Sequence, residues 1–156
     1  MRGKQAPKRK IDPDPKYGSL LIAKFINLLM SRGKKSTARA VFYGAFDAIK
    51  AKGQDPQSVF DQAMKNVGPA MEIRPRRVGG ANYQIPFPVS PDRRNLLAMR
   101  WLITAARARK GKPMAKRLLE EFEDAAKGEG AAMKKKLDVQ KMAEANRAFA
   151  HFARYG

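Results

Sequence analysis

The sequence contains no cysteine and a single histidine, and both scarcities restrict its chemistry. Without cysteine the chain has neither structural disulfides nor thiolate metal sites, which fits a reducing compartment. His151 is the only histidine, and the acidic residues outside 120–124 are scattered along the chain. We find no acid–base pair and no carboxylate cluster for Mg²⁺ at a useful spacing. We therefore predict that the protein is not an enzyme and uses no metal and no cofactor.

Long apolar runs are also missing. The most apolar stretch, Leu20–Met30, contains Lys24 and Asn27 and is too short to span a bilayer. Residues 1–5 are positively charged, but the apolar stretch of a signal peptide does not follow them. A membrane-surface protein would need a helix with a wide exposed apolar face, and we find none that is not needed for a core. We expect a soluble, cytoplasmic protein without a membrane partner.

Acidic residues are few. The chain has 14 Asp and Glu against 33 Lys and Arg, which gives a net charge of +19. Repulsion among so many positive charges destabilises a folded protein, and binding to a polyanionic partner is the ordinary reason for such a charge. The charges are unevenly distributed, since residues 113–130 contain five acidic and only three basic side chains. We predict one polyanion-binding side and an acidic fifth helix that faces solvent or a basic neighbour. A solvated helix face is the simpler interpretation of the acidic group, which consists of Glu120, Glu121, Glu123 and Asp124.

Apolar periodicity and capping residues predict a mainly α fold, a helical bundle of about six helices. The expected helices run from about Ser19 to Met30, from a Ser36 cap to Gly53, from Asp55-Pro56 to Gly68, from Ser90-Pro91 onward, from Pro113 to the Gly128–Gly130 break, and from Ala131 to Phe149. Residues 1–17 are interpreted as a basic extended N-terminal tail, disordered until bound, or alternatively as a solubilising terminus. Residues 18–156 are expected to form a single domain.

One protruding β-hairpin is predicted between the third and fourth helices, as an arm over residues 71–89. Apolar and polar residues alternate from Tyr83 to Val89, and Gly79-Gly80 supplies the positive φ angles of a tight reversal. Arg74, Arg76 and Arg77 are planar cations that grip phosphate bidentately, which indicates a nucleic-acid-binding arm. Tyr83 and Phe87 share a strand face, where packing on the domain is favoured over stacking on a base.

Two further arginines begin the predicted fourth helix. Arg93 and Arg94 lie in its first turn, where the helix dipole and the unpaired backbone N–H groups favour negative charge. A bound anion at that position would meet both the N–H groups and the guanidinium groups. Pairing with Glu72 or Asp92 is the structural alternative, although two acids do not satisfy the whole local excess of charge. We expect this pair to contribute to polyanion binding at least as much as Arg76 and Arg77.

Several motifs resemble the bacterial small-subunit (30S) ribosomal protein seven family. They are Arg76-Arg77-Val78-Gly79-Gly80, Tyr83-Gln84, Arg94-Asn95 and Leu97-Ala98-Met99-Arg100-Trp101, with Asp14–Tyr17 and Gly33–Ala38 near the N-terminus and Met142–His151 near the C-terminus. The similarity covers nearly the whole chain. The chain departs from the usual pattern at Pro75 and at Phe87-Pro88, and Pro75, Pro86 and Pro88 remove backbone donors. We therefore expect a less regularly paired ribbon than in relatives.

The resemblance implies a structural constituent of the small ribosomal subunit. It implies a primary binder of 16S ribosomal RNA that nucleates assembly of the subunit head, and a position near the exit site for tRNA with the hairpin reaching toward tRNA and mRNA. Its expected neighbours are ribosomal proteins of the head and platform, and it is not expected to be an obligate homo-oligomer. The predicted RNA-binding cations are Arg2, Lys4, Lys8, Arg9, Lys10, Lys16, Arg32, Lys34, Lys35, Arg74, Arg76, Arg77, Arg93, Arg94, Arg100, Arg107, Arg109, Lys110, Lys112 and Lys141.

A DNA-architectural protein of the nucleoid type is the alternative function. Basic β arms that carry a proline enter DNA minor grooves, and the arm at 71–89 has that composition. Such proteins usually dimerise through a shared core. A preference for duplex DNA over ribosomal RNA at matched salt would favour this alternative.

Overall fold

A computed structural model of the chain describes residues 3, 6, 7 and 9–154, and these contain seven helices and one two-stranded hairpin. The structure is 63% helical, which confirms the predicted mainly α class. The α-helices are α1 (Leu20–Leu29), α2 (Lys35–Ala51), α3 (Pro56–Val67), α4 (Pro91–Ala108), α5 (Met114–Lys127) and α6 (Gly130–Ala145), and a C-terminal 3-10 helix covers Arg147–Arg154. The strands β1 (Met71–Val78) and β2 (Ala81–Pro88) lie between α3 and α4, as predicted.

The helix boundaries follow the capping residues of the sequence. The hydroxyl oxygen of Ser19 accepts a hydrogen bond from the backbone N–H of Ile22 at the start of α1. Asp55 accepts from two backbone N–H groups at the start of α3, where Pro56 occupies the first helical position. Gly128, with a φ of 86°, ends α5 in the left-handed conformation. These three predicted boundaries are confirmed.

Two boundaries differ from the prediction. Helix α2 begins at Lys35, so Ser36 lies inside its first turn rather than preceding it as the cap. The last helix ends at Ala145 instead of continuing to Phe149, and the chain tightens into the 3-10 helix. Residues three apart eclipse in a 3-10 helix, which places Phe149 and Phe152 on one side with ring centroids 6.3 Å apart. Both rings contact Tyr83 of β2, at 5.2 and 5.4 Å, and these contacts favour the tighter turn.

Backbone contacts divide the chain into two compact units, residues 1–40 and residues 41–156. In the first unit, α1 buries Ile22, Phe25 and Ile26. Asp14 is 3% exposed, and its carboxylate accepts hydrogen bonds from the backbone N–H groups of Lys16 and Tyr17. The end of the predicted tail therefore forms a turn, whereas residues 9–13 have no regular secondary structure. The single domain expected from residue 18 onward stays a prediction.

Four phenylalanines form the centre of the second unit. Phe42 and Phe46 from α2, Phe60 from α3 and Phe122 from α5 are each buried, with ring centroids 4.3–6.3 Å apart in edge-on or tilted contacts. Truncating one such ring to alanine typically costs about 3–5 kcal/mol. This core holds α3 and α5 together. The hairpin leaves the body at the end of α3 and returns to it at the start of α4.

Candidate nucleic-acid interface

The hairpin is closed by a two-residue turn. Val78 pairs with Ala81, and between them Gly79 and Gly80 have φ angles of 57° and 92°. Positive φ at both central positions matches the twist of the flanking strands, and glycine adopts it without a steric penalty. The predicted role of Gly79-Gly80 is confirmed.

The three hairpin prolines do not interrupt the ladder, whereas the comparison with the ribbons of relatives stays a prediction. The register runs without a break from Met71–Pro88 to Val78–Ala81. Beyond it the N–H of Val89 donates to the carbonyl of Ala70 at 3.0 Å, so 70 and 89 form a hydrogen-bonded pair. Hydrogen-bonded pairs alternate with pairs whose backbone groups point outward. Pro75, Pro86 and Pro88 all belong to the outward-pointing class, so none of them removes a ladder bond.

The arginines of the hairpin are divided between its two faces. Arg74 and Arg76 share a face with Phe87, and each guanidinium carbon lies 5.3 Å from the centroid of that ring. Arg77 is one residue along the strand, so it belongs to the opposite face. The hairpin therefore has cations on both faces, and two of them make cation–π contacts with the Phe87 ring.

Glu72 ties the base of the hairpin to α4. Its side chain is 8% exposed, and Oε2 accepts a hydrogen bond from Nε of Arg93 at 3.0 Å, while Oε1 accepts from Arg74. Burial opposes ionisation of Glu72, but the hydrogen bonds from Arg93 and Arg74 outweigh it and hold its pKa below the usual value. At Arg93 the structure therefore shows the stated alternative, pairing with Glu72.

Arg94 does not share the Glu72 carboxylate with Arg93. It lies near Lys136 and Arg147, two cations that were not among the predicted RNA-binding residues. Its side chain packs over Gly68, and Nη2 lies 3.5 Å from the carbonyl oxygen of Lys65. Lys136 of α6 is close enough that the charge of Arg94, after burial, lowers the pKa of Lys136. Arg94, Lys136 and Arg147 line one cavity between the base of the hairpin, α4 and α6. The sequence did not distinguish Lys136 from Lys134 and Lys135, because only the fold shows which of three consecutive lysines is partly buried.

Two predicted RNA-binding residues are engaged by the acidic helix α5. Nη2 of Arg109 donates to Glu121 at 2.7 Å and also to Asp124, and Nη1 lies 3.4 Å from Glu120, which Lys112 contacts as well. Burial would lower the pKa of Arg109, but the hydrogen bonds to Asp124 and Glu121 raise it above the ordinary value. These ion pairs with α5 argue against RNA contacts at Arg109 and Lys112. They neutralise α5, which was expected to face solvent or a neighbour.

Glu121 does not belong to the predicted solvated face of α5, because it is 0% exposed. Its Oε1 accepts from the backbone N–H of Ala132 at 3.0 Å, so it satisfies a donor in the first turn of α6. The spacing of Glu121 in register with Leu118 and Ala125 was the available sequence signal, since all three lie on the buried face of α5.

The remaining predicted cations are mostly exposed. Arg100, Arg107, Lys110 and Lys141 are exposed on or next to α4 and α6. In the first unit, the turn between α1 and α2 exposes Arg32, Lys34 and Lys35. A cleft of about 330 Å³ is lined by Arg9 and Lys10 together with Lys35 and Arg39. The ammonium group of Lys16 lies over the Tyr17 ring. Arg2, Lys4 and Lys8 lie outside the described residues.

Across residues 3, 6, 7 and 9–154, no helix is long and apolar enough to cross a membrane. The same part of the chain holds no cluster of three or more His, Asp or Glu side chains arranged for a metal ion.

Comparison with known proteins identifies the family. The model of the family "Ribosomal protein S7p/S5e" matches residues 1–147. The chain belongs to this family. It is 56% identical, over 97% of both chains, to small ribosomal subunit protein uS7 of Burkholderia mallei (strain SAVP1), of Burkholderia pseudomallei (strain 668) and of Burkholderia thailandensis (strain E264).

Membership in the ribosomal protein S7p/S5e family confirms the resemblance found in the sequence. The family consists of structural, non-enzymatic proteins of the ribosome, so the role in the small subunit and in translation is confirmed, as is a cytoplasmic location on the ribosome. The arginine-bearing hairpin described above belongs to a ribosomal protein.

Proposed function

We propose that this member of the family binds 16S ribosomal RNA directly and nucleates assembly of the subunit head. In the assembled subunit it contacts neighbouring ribosomal proteins of the head and platform and lies near the exit site for tRNA. The hairpin reaches toward tRNA and mRNA. Family membership supports the ribosomal setting, and the arrangement of the hairpin supports the RNA contact.

The observation that carries the proposal is the fixed presentation of Arg74 and Arg76. Both guanidinium groups lie over Phe87, and Arg74 is also tied through Glu72 to Arg93 of α4. Cations held in place before binding lose less side-chain entropy when they meet a phosphate than freely rotating ones do. A-form RNA conceals its major groove, so contacts of this kind read the geometry of the backbone.

Binding at several RNA helices would also explain a role in assembly. A protein that holds the helices of a junction in one arrangement lowers the entropy of the junction, and later proteins then meet preformed sites. Cations on both faces of the ribbon allow it to lie between two RNA segments. The DNA-architectural alternative gains no support from the described contacts.

RNA binding is tested by filter binding of the full chain to 16S ribosomal RNA and to duplex DNA at matched salt. We expect a preference for the RNA and an affinity that falls steeply as salt rises. The double variant Arg76→Gln/Arg77→Gln should bind about tenfold or more weakly, with the salt slope reduced by about two. Lys116→Gln/Lys127→Gln, which removes the same charge from exposed positions of the acidic helix α5, is the control and should bind nearly as tightly as wild type.

Three results would contradict RNA binding as proposed. They are a preference for duplex DNA, an affinity that does not respond to salt, and equal losses for the hairpin pair and the control pair.

The location is tested separately in assembled small subunits. A photo-crosslinking side chain at Ala81, beside the turn, should capture tRNA bound at the exit site or mRNA. Crosslinks confined to ribosomal RNA and ribosomal proteins would contradict that position while leaving RNA binding intact.

A further inference from the structure

A cavity of about 580 Å³ lies between the base of the hairpin, the start of α4, α6 and the C-terminal 3-10 helix. One part of its wall is apolar and includes Pro69, Met71 and Pro86. The other part carries the cations Arg94, Lys136 and Arg147. Ligand pockets in proteins commonly combine a largely apolar lining with a few converging polar groups in this range of volume.

The charges of the cavity favour an anion. Three cations line it against one carboxylate, Glu144, whose Oε1 also accepts a hydrogen bond from Gln140 at 3.2 Å. Lys136 is half-buried, and its Nζ donates to the carbonyl oxygen of Asn66 at 2.5 Å. Burial first, and the positive charge of Arg94 second, lower the pKa of Lys136. Two like charges are therefore held together, and a bound anion would relieve their repulsion.

Arg94 approaches the backbone closely at Gly68. A methyl group built on Gly68 would lie 2.7 Å from Nε and 3.0 Å from Cγ of Arg94. The guanidinium group therefore lies directly over a residue that has no side chain. Gly68 has an ordinary φ of −60°, so its absence of a side chain matters for this close approach rather than for backbone conformation.

We propose that this cavity receives one nucleotide that is unstacked from the bound ribosomal RNA. Its base lies against the apolar wall, and its phosphate is bound by Arg94, Lys136 and Arg147. The proposal rests on the proposed RNA-binding function. Proteins that recognise RNA beyond its backbone shape commonly take up such unstacked bases. The cavity thus adds a single-nucleotide contact to the phosphate contacts of the hairpin.

Binding of the base in the cavity is tested by a substitution that fills the cavity without changing its charge. Ala150 lines the cavity, whereas Ala148 does not, and both are exposed residues of the 3-10 helix. On 16S ribosomal RNA probed with base-specific reagents, wild type should protect an isolated nucleotide. Ala150→Trp should restore reactivity at that nucleotide and weaken binding severalfold, while the rest of the footprint is kept. Ala148→Trp should give the wild-type pattern.

Binding of the phosphate by the cations of the cavity is tested with substitutions at two neighbouring lysines of α6. Lys136 lines the cavity and Lys135 is exposed, so Lys136→Gln and Lys135→Gln remove the same charge one residue apart. Lys136→Gln should weaken binding about tenfold and reduce the salt slope by about one, and Lys135→Gln should have a much smaller effect. Gly68→Ala, which displaces Arg94, should weaken binding in the same direction.

The outcomes separate this proposal from the function on which it rests. If wild type binds the RNA but Ala150→Trp and Ala148→Trp share one footprint, the nucleotide pocket is refuted and RNA binding stands. If Lys135→Gln and Lys136→Gln lose affinity equally, the phosphate assignment is refuted. If wild type does not bind the RNA, both the function and the pocket fail. Thermal unfolding of each variant shows whether it remains folded.

Discussion

Nε of Arg93 donates to Oε2 of Glu72 at 3.0 Å, and this hydrogen bond joins the first turn of α4 to the first strand of the hairpin. Arg74 donates to the other oxygen of the same carboxylate. One buried acid therefore orients an arginine of the body and an arginine of the arm. Glu72 therefore links the side chains of the two elements at the base of the hairpin.

Glu72→Gln should destabilise the folded protein by about 1–3 kcal/mol, because hydrogen bonds between charged partners are replaced by weaker ones. Both arginines are partly exposed and remain hydrated, which limits the loss. The free energy of unfolding from urea titration is the measurement. Glu129→Gln, which removes one charge from an exposed position without a side-chain capping bond, should be nearly neutral. Equal losses in the two variants would show that the link at Glu72 contributes nothing.

The contribution of Glu72 should also depend on pH. Its pKa in the folded state lies below the ordinary value of 4.5, so the ionised carboxylate stabilises the fold above about pH 4.5. That stability is lost as the pH falls through the lower, folded-state pKa. The difference in unfolding free energy between wild type and Glu72→Gln should therefore shrink between pH 6 and pH 3. A difference that stays constant over this interval would contradict the low pKa of Glu72.

Arg93 and Arg94, adjacent in sequence, should behave differently. Arg93→Met should lower stability, because Glu72 loses a partner, and should reduce RNA affinity less than Arg94→Met does, with an unchanged salt slope. Arg94→Met should leave stability nearly unchanged and weaken binding to 16S ribosomal RNA severalfold, with a smaller salt slope. Urea unfolding and filter binding of both variants measure the two effects. The reverse assignment of effects would show that the internal carboxylate and the cavity have been given the wrong arginines.

Arg109→Met should destabilise the protein by about 3–5 kcal/mol, because it leaves the buried carboxylate of Glu121 without its cation. The neighbouring Lys110 is exposed, and Lys110→Met should have little effect on stability. Urea unfolding measures the difference. The RNA salt slope of folded Arg109→Met should equal that of wild type, and a reduced slope would restore Arg109 as an RNA contact.

Local patterns predicted the elements well. Helical periodicity and the caps at Ser19, Asp55 and Gly128 placed most helices, and Gly79-Gly80 placed the hairpin turn. The end of α6 was missed because its cause is not local. The tightening after Ala145 accompanies contact of Phe149 and Phe152 with Tyr83, which lies far away in the sequence.

The candidate site was predicted in composition but not in detail. Charge counts identified the basic loops and the arm, yet they could not show which cations have internal partners. Arg93 is paired with Glu72 and Arg109 with Glu121, across 21 and 12 residues respectively. Lys136 acquires its place beside Arg94 only through the packing of α6 on the start of α4. Such pairings depend on tertiary distances that no local pattern contains.

The positions of the hairpin prolines have a consequence for the free protein before it joins a ribosome. The described sheet has only two strands, so both of its outer edges lack a neighbouring strand. Pro75 lies at an outward-pointing position of β1, and Pro86 and Pro88 lie at such positions of β2. Each removes an N–H that an added strand would need, and open edges are the sites at which β-proteins aggregate. These prolines therefore disfavour self-association of the arm in the interval between synthesis of the protein and its incorporation into the small ribosomal subunit.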